Sequence, residues 1–416
     1  MSARSGAEEP RVVVAALVAI SVFVATWALL HVGFYRDKQV LDTPIYQRYG
    51  NAIARGEVPY RDFAVEYPPG ALPAFAVPGL AEPGEAQDVT TGFRNVFESL
   101  MWLCGAGALL ATAIALRARR ASQRHVWTAL LFAALAPLAL GSVLLSRFDL
   151  WPAVLVAATS AALLTGWWRT ASALLGAAIA VKLYPVALAP LLVARVWRRY
   201  GRRAALGATA IAAAVVAAVF VPFVVLSPDG VSDSLGGQLG RPLQMESLGA
   251  ALVLAAHQLF GSGVEVVTSH GSQNLGGTAA SALAWVTTVA QVAVLCWVWL
   301  AYARGRLDLV RAAAAALVTF VALGKVLSPQ FMIWLIAPVP LVAGRRGLVA
   351  GALLAVALVL TQLWFPFRYW DLVNDLDPAA SWFVVARDLV LVALLGVLVL
   401  PERARDAREL VADVGR

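Results

Sequence analysis

Eleven apolar stretches alternate with polar connections along the chain: 12–33, 95–116, 126–145, 150–168, 171–194, 204–227, 278–302, 310–324, 329–343, 347–365 and 381–400. Most exceed the ~17 residues that a helix needs to cross a bilayer, although 310–324 and 329–343 are short. Alternating β patterning is absent, which excludes a barrel. The pattern predicts an all-α, polytopic transmembrane helical bundle of about 11–13 membrane helices. The core of the first stretch, 12–30, is too long for a signal-peptide h-region and no A-x-A site follows, so it counts as a helix.

Composition agrees. The chain is 60% hydrophobic and 14% charged, with a mean hydropathy of +0.75, whereas soluble domains carry about 25% charged residues. Cys104 and Cys296 both lie in apolar stretches and behave as small hydrophobes. A net charge of +8 raises nucleic acid as a partner, but the charge distribution argues against it. Short loops hold the arginines: 117, 119, 120 and 124, then 195, 198, 199, 202 and 203, then 304, 306 and 311, then 345 and 346, against a single acid, Asp308. The longer loops 34–92, 228–277 and 366–380 are rich in acids. By the positive-inside rule the basic loops and both termini are cytoplasmic and the acidic loops face out. The expectation is a single integral membrane domain over 1–416, with 34–92 and 228–277 as outer loops and 401–416 as a cytoplasmic tail.

Alternation of sides breaks down once. Stretch 171–194 should end outside, yet it ends at the Arg195–Arg203 cluster. The simplest repair breaks it at Lys182-Leu183-Tyr184-Pro185, because proline removes a donor and ends a helix before it. Two half-helices would then dip in and return, which membranes tolerate where the break is buried in protein or lines a cavity. The other repair places a non-spanning element around Arg147 and Asp149. In the second outer loop, Leu248, Leu252, Ala255 and Leu259 recur at helical spacing and predict a surface helix on lipid. Gly and Ser around 261–277 predict a mobile loop. No internal repeat is evident, which counts against inverted-repeat transporters.

The first outer loop carries the chemistry. Residues 42–70 read DTPIYQRYGNAIARGEVPYRDFAVEYPPG, concentrating Asp42, Glu57, Asp62 and Glu66 with tyrosines 46, 49, 60 and 67. Asp42 before Thr43-Pro44 suits a helix N-cap, and a cap would also hold a carboxylate rigidly. Asp62 and Glu66 suit solvated loop charges as well as a site. Tyr46, Tyr60 and Tyr67 suit an interfacial belt or sugar-binding faces. Pro68-Pro69-Gly70 directs the chain into a short apolar segment, 71–80, lying against the bilayer. Ionisable groups within apolar stretches cost about 2.5–3.5 kcal/mol at the membrane centre, so Lys182, Lys325, Arg147 and Asp149 each need a reason. Snorkelling would explain Lys182, and a local ion pair would explain Arg147 and Asp149. Lys325 with Ser328 and Gln330 offers a cation, a hydroxyl and an amide to a phosphate. There is no G-x-x-x-x-G-K-[ST], H-E-x-x-H, Cys/His metal spacing or G-x-S-x-G, so energy must arrive in an activated substrate.

These residues resemble the GT-C superfamily of polyprenyl-phosphate-sugar glycosyltransferases, and more closely the mannosyltransferases of glycosyltransferase family 87. The resemblance rests on Asp42-x-x-x-Tyr46, Gly56 to Asp62 and Glu66-Tyr67-Pro68-Pro69-Gly70. It continues in Arg147-Phe148-Asp149, Ala180 to Pro185 (including Lys182 and Tyr184) and Lys325 to Gln330. It implies a GT-C-type bundle and inverting transfer of a hexose, most often mannose, from a polyprenyl-phosphate donor to a lipid or glycolipid acceptor at the outer face. Asp42 then occupies the place of the general base. Lys325, followed by Lys182, Arg147 and Arg241, would meet the charge on the leaving phosphate. Some members pair adjacent acids in this loop with a divalent metal. Here Thr43 follows Asp42, so no cofactor is expected, and the basic residues would replace a metal. The competing reading is a transporter or flippase of lipid-linked sugars, which the acid-rich first loop disfavours.

Overall fold

A computed structural model describes residues 3–35, 40–83 and 89–400; the tail expected over 401–416 lies outside them. Helix α1 (Ala3–Leu29) precedes two short helices of the first long loop, α2 (Thr43–Ala54) and α3 (Pro73–Ala81). Then come α4 (Thr91–Ala118), α5 (Gln123–Leu140), α6 (Val143–Ser146), α7 (Leu150–Thr165), α8 (Trp168–Val181) and α9 (Ala189–Tyr200). Helix α10 (Arg202–Leu226) leads to α11 (Pro228–Leu239), β1 (Leu243–Gln244), α12 (Leu248–Phe260), β2 (Val266–Ser269) and β3 (Ser272–Leu275). The chain continues through α13 (Gly277–Ala303), α14 (Leu309–Ala322), α15 (Ile333–Ile336), α16 (Gly344–Trp364), α17 (Tyr369–Asp375) and α18 (Pro378–Val399).

The chain forms an all-α polytopic membrane bundle. Among the described residues, six helices are long and apolar enough to cross a bilayer: α1 from Arg11, α4, α10, α13, α16 and α18. Helices α7, α8, α12 and α14 are apolar but shorter. Within α10 the only buried residues are Ala205 and Ala208, so most of this greasy helix has no protein cover, as a lipid-facing span requires. The stretch 329–343 is the least regular, passing through a tight turn at Pro329–Met332 and the four-residue α15.

The break expected at Lys182 is present. Helix α8 stops at Val181, Lys182 is extended (φ −157, ψ 146), and Tyr184–Leu188 form a 3-10 turn before α9. Tyr200 Oη at the end of α9 donates to Gly166 O, just before α8, at 3.1 Å. The α8–α9 pair therefore returns to the end from which it started, which restores the alternation of sides. The buried Val181, Tyr184 and Pro185 show why the irregular backbone is tolerated there: protein covers it.

The basic loops gather at that same end. Arg119 donates to Leu341 O at 2.6 Å, Arg198 to Tyr302 O at 3.3 Å and Arg346 to Leu400 O at 2.9 Å. Buried Arg311 donates to Leu398 O at 2.6 Å. Arg198, Arg311 and Arg346 meet carbonyls in the last turn or cap of a helix, where the partial charge is negative, and Arg119 meets one in the turn before α16. The acidic loops lie at the opposite end.

Three expectations for those loops change. The segment after Pro-Pro-Gly buries one face in protein: α3 packs on α2 and α4 with Phe75 fully buried, while Val77 and Leu80 stay exposed. Gly50 and Gly79 make this possible, since a Cβ on Gly79 would sit 2.3 Å from the Gly50 carbonyl carbon. Helix α12 exists, but one face packs on α18 and α13 while Leu252, Leu259 and Phe260 stay exposed. The segment expected to be mobile, 261–277, forms a hairpin. Strands β2 and β3 pair antiparallel, and β1 adds to β3 with Leu243 opposite Leu275.

Candidate active site

Arg147-Phe148-Asp149 is the hub of the acidic end. Helix α6 ends in front of it and α7 begins behind it, with Arg147 extended between them. Phe148 and Asp149 then turn into α7, and the change from extended to helical backbone sends the three side chains to different partners. Arg147 Nη1 lies 2.8 Å from Asp42 Oδ1. Asp149, fully buried, accepts from Lys182 Nζ at 2.6 Å and from Trp334 Nε1 at 2.7 Å on one oxygen. The Phe148 ring stands edge-on to Tyr67 at 4.8 Å and to Phe75 at 5.3 Å.

Asp42 sits at the N-cap position of α2, with Pro44 in the first turn, but its side chain makes no capping hydrogen bond. The carboxylate turns to Arg147 instead, and Tyr46 Oη donates to Oδ2 at 3.4 Å. It keeps 22% of its side-chain surface exposed against 6% for Arg147, so it is both anchored and reachable. Nη1 is taken up by the Asp42 carboxylate, while Arg147 Nε is buried with no hydrogen-bond acceptor in place, and buried donors without acceptors are costly. That donor is available to an anion.

Lys182 occupies an aromatic box. Its ammonium lies 4.7 Å from the Phe148 centroid, 5.2 Å from Trp334, 5.8 Å from Phe331 and 5.9 Å from Tyr67. This is a desolvated cation held by one carboxylate and π faces, not a snorkelling one. Tyr184 stacks on Trp334 at 3.9 Å, which places it in the wall of the box. Gly70 lets the Pro-Pro-Gly turn close against the helix break: a Cβ there would meet Ala180 O at 2.5 Å and Val181 N at 2.8 Å. Trp151 Nε1 ties the turn down by donating to Gly70 O at 3.1 Å.

The tyrosines are structural in their immediate contacts. Tyr46 is buried and stacks on Phe75 at 4.7 Å. Tyr60 is buried edge-on to Phe223 at 5.4 Å and donates to Tyr67 O at 2.6 Å. Both rings are covered mainly by protein, although Tyr60 also reaches the wall of the cavity between the first loop and α11.

Lys325 and Ser328 belong to a separate cluster. Lys325 Nζ donates to Leu239 O, the last carbonyl of α11, at 2.9 Å. Ser328 Oγ accepts from Gln244 Nε2 at 2.8 Å, and Gln330 is half-buried in the next turn. Between the first loop and α11 lies a cavity of about 500 Å³, lined among others by Tyr49, Tyr60, Asp62, Glu66, Gln238 and Arg241. Burial raises the Glu66 carboxyl, against the pull of Arg241. Arg61 holds Asp62 down at about 2 and spends that carboxylate on a turn with Val58 N. Asp62 is thus at the rim rather than beside Asp42. Among the described residues no three His, Cys, Asp or Glu side chains converge as a metal site would require.

Sequence reasoning missed Trp334, Glu246, Arg387 and Asp388. The last two were findable, since they interrupt the apolar stretch 381–400 with adjacent charges. Trp334 and Glu246 gave no such signal, because only folding brings them to the site.

The comparisons cover most of the chain. No curated protein sequence matches it significantly. A solved structure of similar outline, that of ArnT from Cupriavidus metallidurans in the apo state, aligns over 92% of this chain and 76% of that one. Identity is 15% and the TM-score 0.46, too distant to assign roles to residues. The family model "Glycosyltransferase family 87" matches residues 65–329, a span that includes Arg147, Asp149, Lys182 and Lys325 but not Asp42. A bundle of membrane-length helices with its acidic loops at one end, carrying that family's sequence over more than half its length, leads to one conclusion: the chain belongs to glycosyltransferase family 87 and is a multi-pass membrane glycosyltransferase.

Proposed function

We propose that this protein is an inverting transferase that moves a hexose, with mannose the first sugar to test, from a polyprenyl-phosphate donor to a lipid or glycolipid acceptor at the outer face of the membrane. Asp42 acts as general base. It takes the proton of an acceptor hydroxyl while that oxygen bonds to the anomeric carbon and the bond from that carbon to the phosphate oxygen breaks. The polyprenyl phosphate leaves with its charge met by cations. Arg147 serves first, because it already lies against the base, and Lys182 or Lys325 complete the neutralisation. The observation that carries this reading is the Asp42–Arg147 pair: a rigid, accessible carboxylate beside a guanidinium whose Nε lacks an acceptor. The acidic end faces outward on this reading, because the arginine-rich loops collect at the other end.

The test uses membranes containing wild type or Asp42→Asn, supplied with radiolabelled polyprenyl-phosphate-mannose and a crude lipid extract. Wild type should make a new labelled lipid, and Asp42→Asn should lose ~10²–10⁴-fold in rate while accumulating at the wild-type level. Equal transfer by both proteins would end the assignment of Asp42. If neither transfers mannose, a panel of other polyprenyl-phosphate hexoses decides between a different sugar and failure of the reading.

A further inference from the structure

Helix α18 is apolar throughout except for Arg387 and Asp388, which are 0% and 1% exposed. Adjacent charges in a spanning helix are expensive and need a purpose. Neighbours in sequence point about 100° apart on a helix, yet Arg387 Nε reaches Asp388 Oδ1 at 2.6 Å, which leaves the remaining guanidinium nitrogens to be accounted for. A second bond leads away from its own helix: Nη2 donates to the backbone carbonyl of Glu246. Its guanidinium carbon lies 5.7 Å from the Trp364 ring, which fixes the side chain from the other side.

Glu246 belongs to a short segment, 243–247, between the outer sheet and α12. Gln244 in that segment makes two bonds to the opposite loop: its N–H donates to Lys325 O at 2.9 Å, and its side-chain amide donates to Ser328 Oγ at 2.8 Å. The same amide nitrogen approaches Glu246 Oε2 at 3.3 Å. Met245 N donates to Gln273 O at 3.1 Å, which ties the segment to β3. The charged groups around the Glu246 carboxyl are Arg387 and Asp388 of α18 and the Arg147–Asp42 pair. One buried arginine thus ends in a strut whose far side carries Lys325 and Ser328.

We propose that Arg387 is a positioning residue for the transfer reaction: through the Glu246 carbonyl it fixes segment 243–247, and through that segment the place of Lys325 and Ser328 relative to Asp42. The inference rests on the reading of Lys325 as a contact for the donor phosphate. Asp388, 2.6 Å from Nε, orients the guanidinium in the bundle. Planarity matters, because a guanidinium can address Asp388 and the Glu246 carbonyl together from separate nitrogens, whereas an ammonium is a point charge.

The experiment is a double-variant cycle between this pair and Lys325, read as kcat and donor KM with polyprenyl-phosphate-mannose or whichever hexose donor proves active. Arg387→Met with Asp388→Leu removes both charges together, so no buried carboxylate is left alone. That variant should keep its thermal midpoint near wild type, raise donor KM about tenfold and leave acceptor KM in place. Lys325→Met should do the same alone, and the combined variant should be no worse than either, because both losses act at one point. A wild-type donor KM in the Arg387/Asp388 variant would overturn the proposal, as would losses that multiply in the combined variant. If Lys325→Met itself leaves donor KM unchanged, the reading of Lys325 fails, and the proposal falls with it for that separate reason. Should the double variant not accumulate, Arg387→Lys carries the same comparison, with a smaller rise in donor KM expected and wild-type KM overturning the proposal.

Discussion

One carboxylate oxygen of Asp149 accepts both Lys182 Nζ, at 2.6 Å, and Trp334 Nε1, at 2.7 Å. Three segments far apart in sequence therefore meet at a single atom, and the aromatic box around Lys182 closes over it. Removing one partner is worse than removing both, since a buried charge without its partner costs about 3–5 kcal/mol. Lys182→Met should destabilise the protein by that order, measured as thermal unfolding in detergent. Lys182→Met with Asp149→Leu should recover most of the stability while transfer stays low.

Gly70 permits a contact that no larger residue can make. In Gly70→Ala the new methyl would meet backbone atoms of Ala180 and Val181 at under 3 Å, and backbone cannot swing aside as a side chain can. The Pro-Pro-Gly turn must lift, and Lys182 moves with the break. The expected result is a loss of at least about tenfold in rate, roughly 1.4 kcal/mol in the barrier, with a lower thermal midpoint. Gly236→Ala is the control: it lies in α11 with open space around it, and alanine should stabilise that helix by up to about 1 kcal/mol.

Glu246 should make stability depend on pH in a direction unusual for an acid. Burial raises its carboxyl from an ordinary value of 4.5 to about 8, against the pull of Arg387 and then Arg147. Between those pH values the unfolded chain has lost a proton that the folded chain keeps, so stability falls as pH rises through that window. Glu246→Gln removes the penalty. Its thermal midpoint relative to wild type should increase from pH 5 to pH 8, by a few kcal/mol at most in stability. A difference that stays flat across the window would show that Glu246 titrates normally.

Asp62 should prove dispensable to the chemistry. Its carboxylate is engaged with Arg61 at 2.9 Å and with Val58 N at 2.7 Å, and an exposed pair of this kind is screened by solvent and contributes little. Asp62→Asn should change the transfer rate by less than about fivefold, a fraction of what Asp42→Asn costs. A loss equal to that of Asp42→Asn would move the base to the rim of the cavity.

Much of this architecture was legible along the chain because a bilayer demands long apolar helices with satisfied backbones, and because arginine loops sort to one side. The break at Lys182-Leu183-Tyr184-Pro185 followed from the same logic: proline ends a helix, and the misplaced arginine cluster required a return. Arg147, Asp149, Lys182 and Lys325 stood out because charge is costly among greasy residues, and Asp42 because the first long loop concentrates acids. Pairing was not legible. That Arg147 takes Asp42, that Lys182 takes Asp149, and that Asp42 leaves its own helix end unbonded all depend on how helices cross, which Gly50, Gly70 and Gly79 set by letting backbones touch. The hairpin over 261–277 and the buried face of α3 were decided likewise, by which surfaces found protein and which found lipid. Local pattern encodes which residues avoid water; only the packed bundle decides which charges meet.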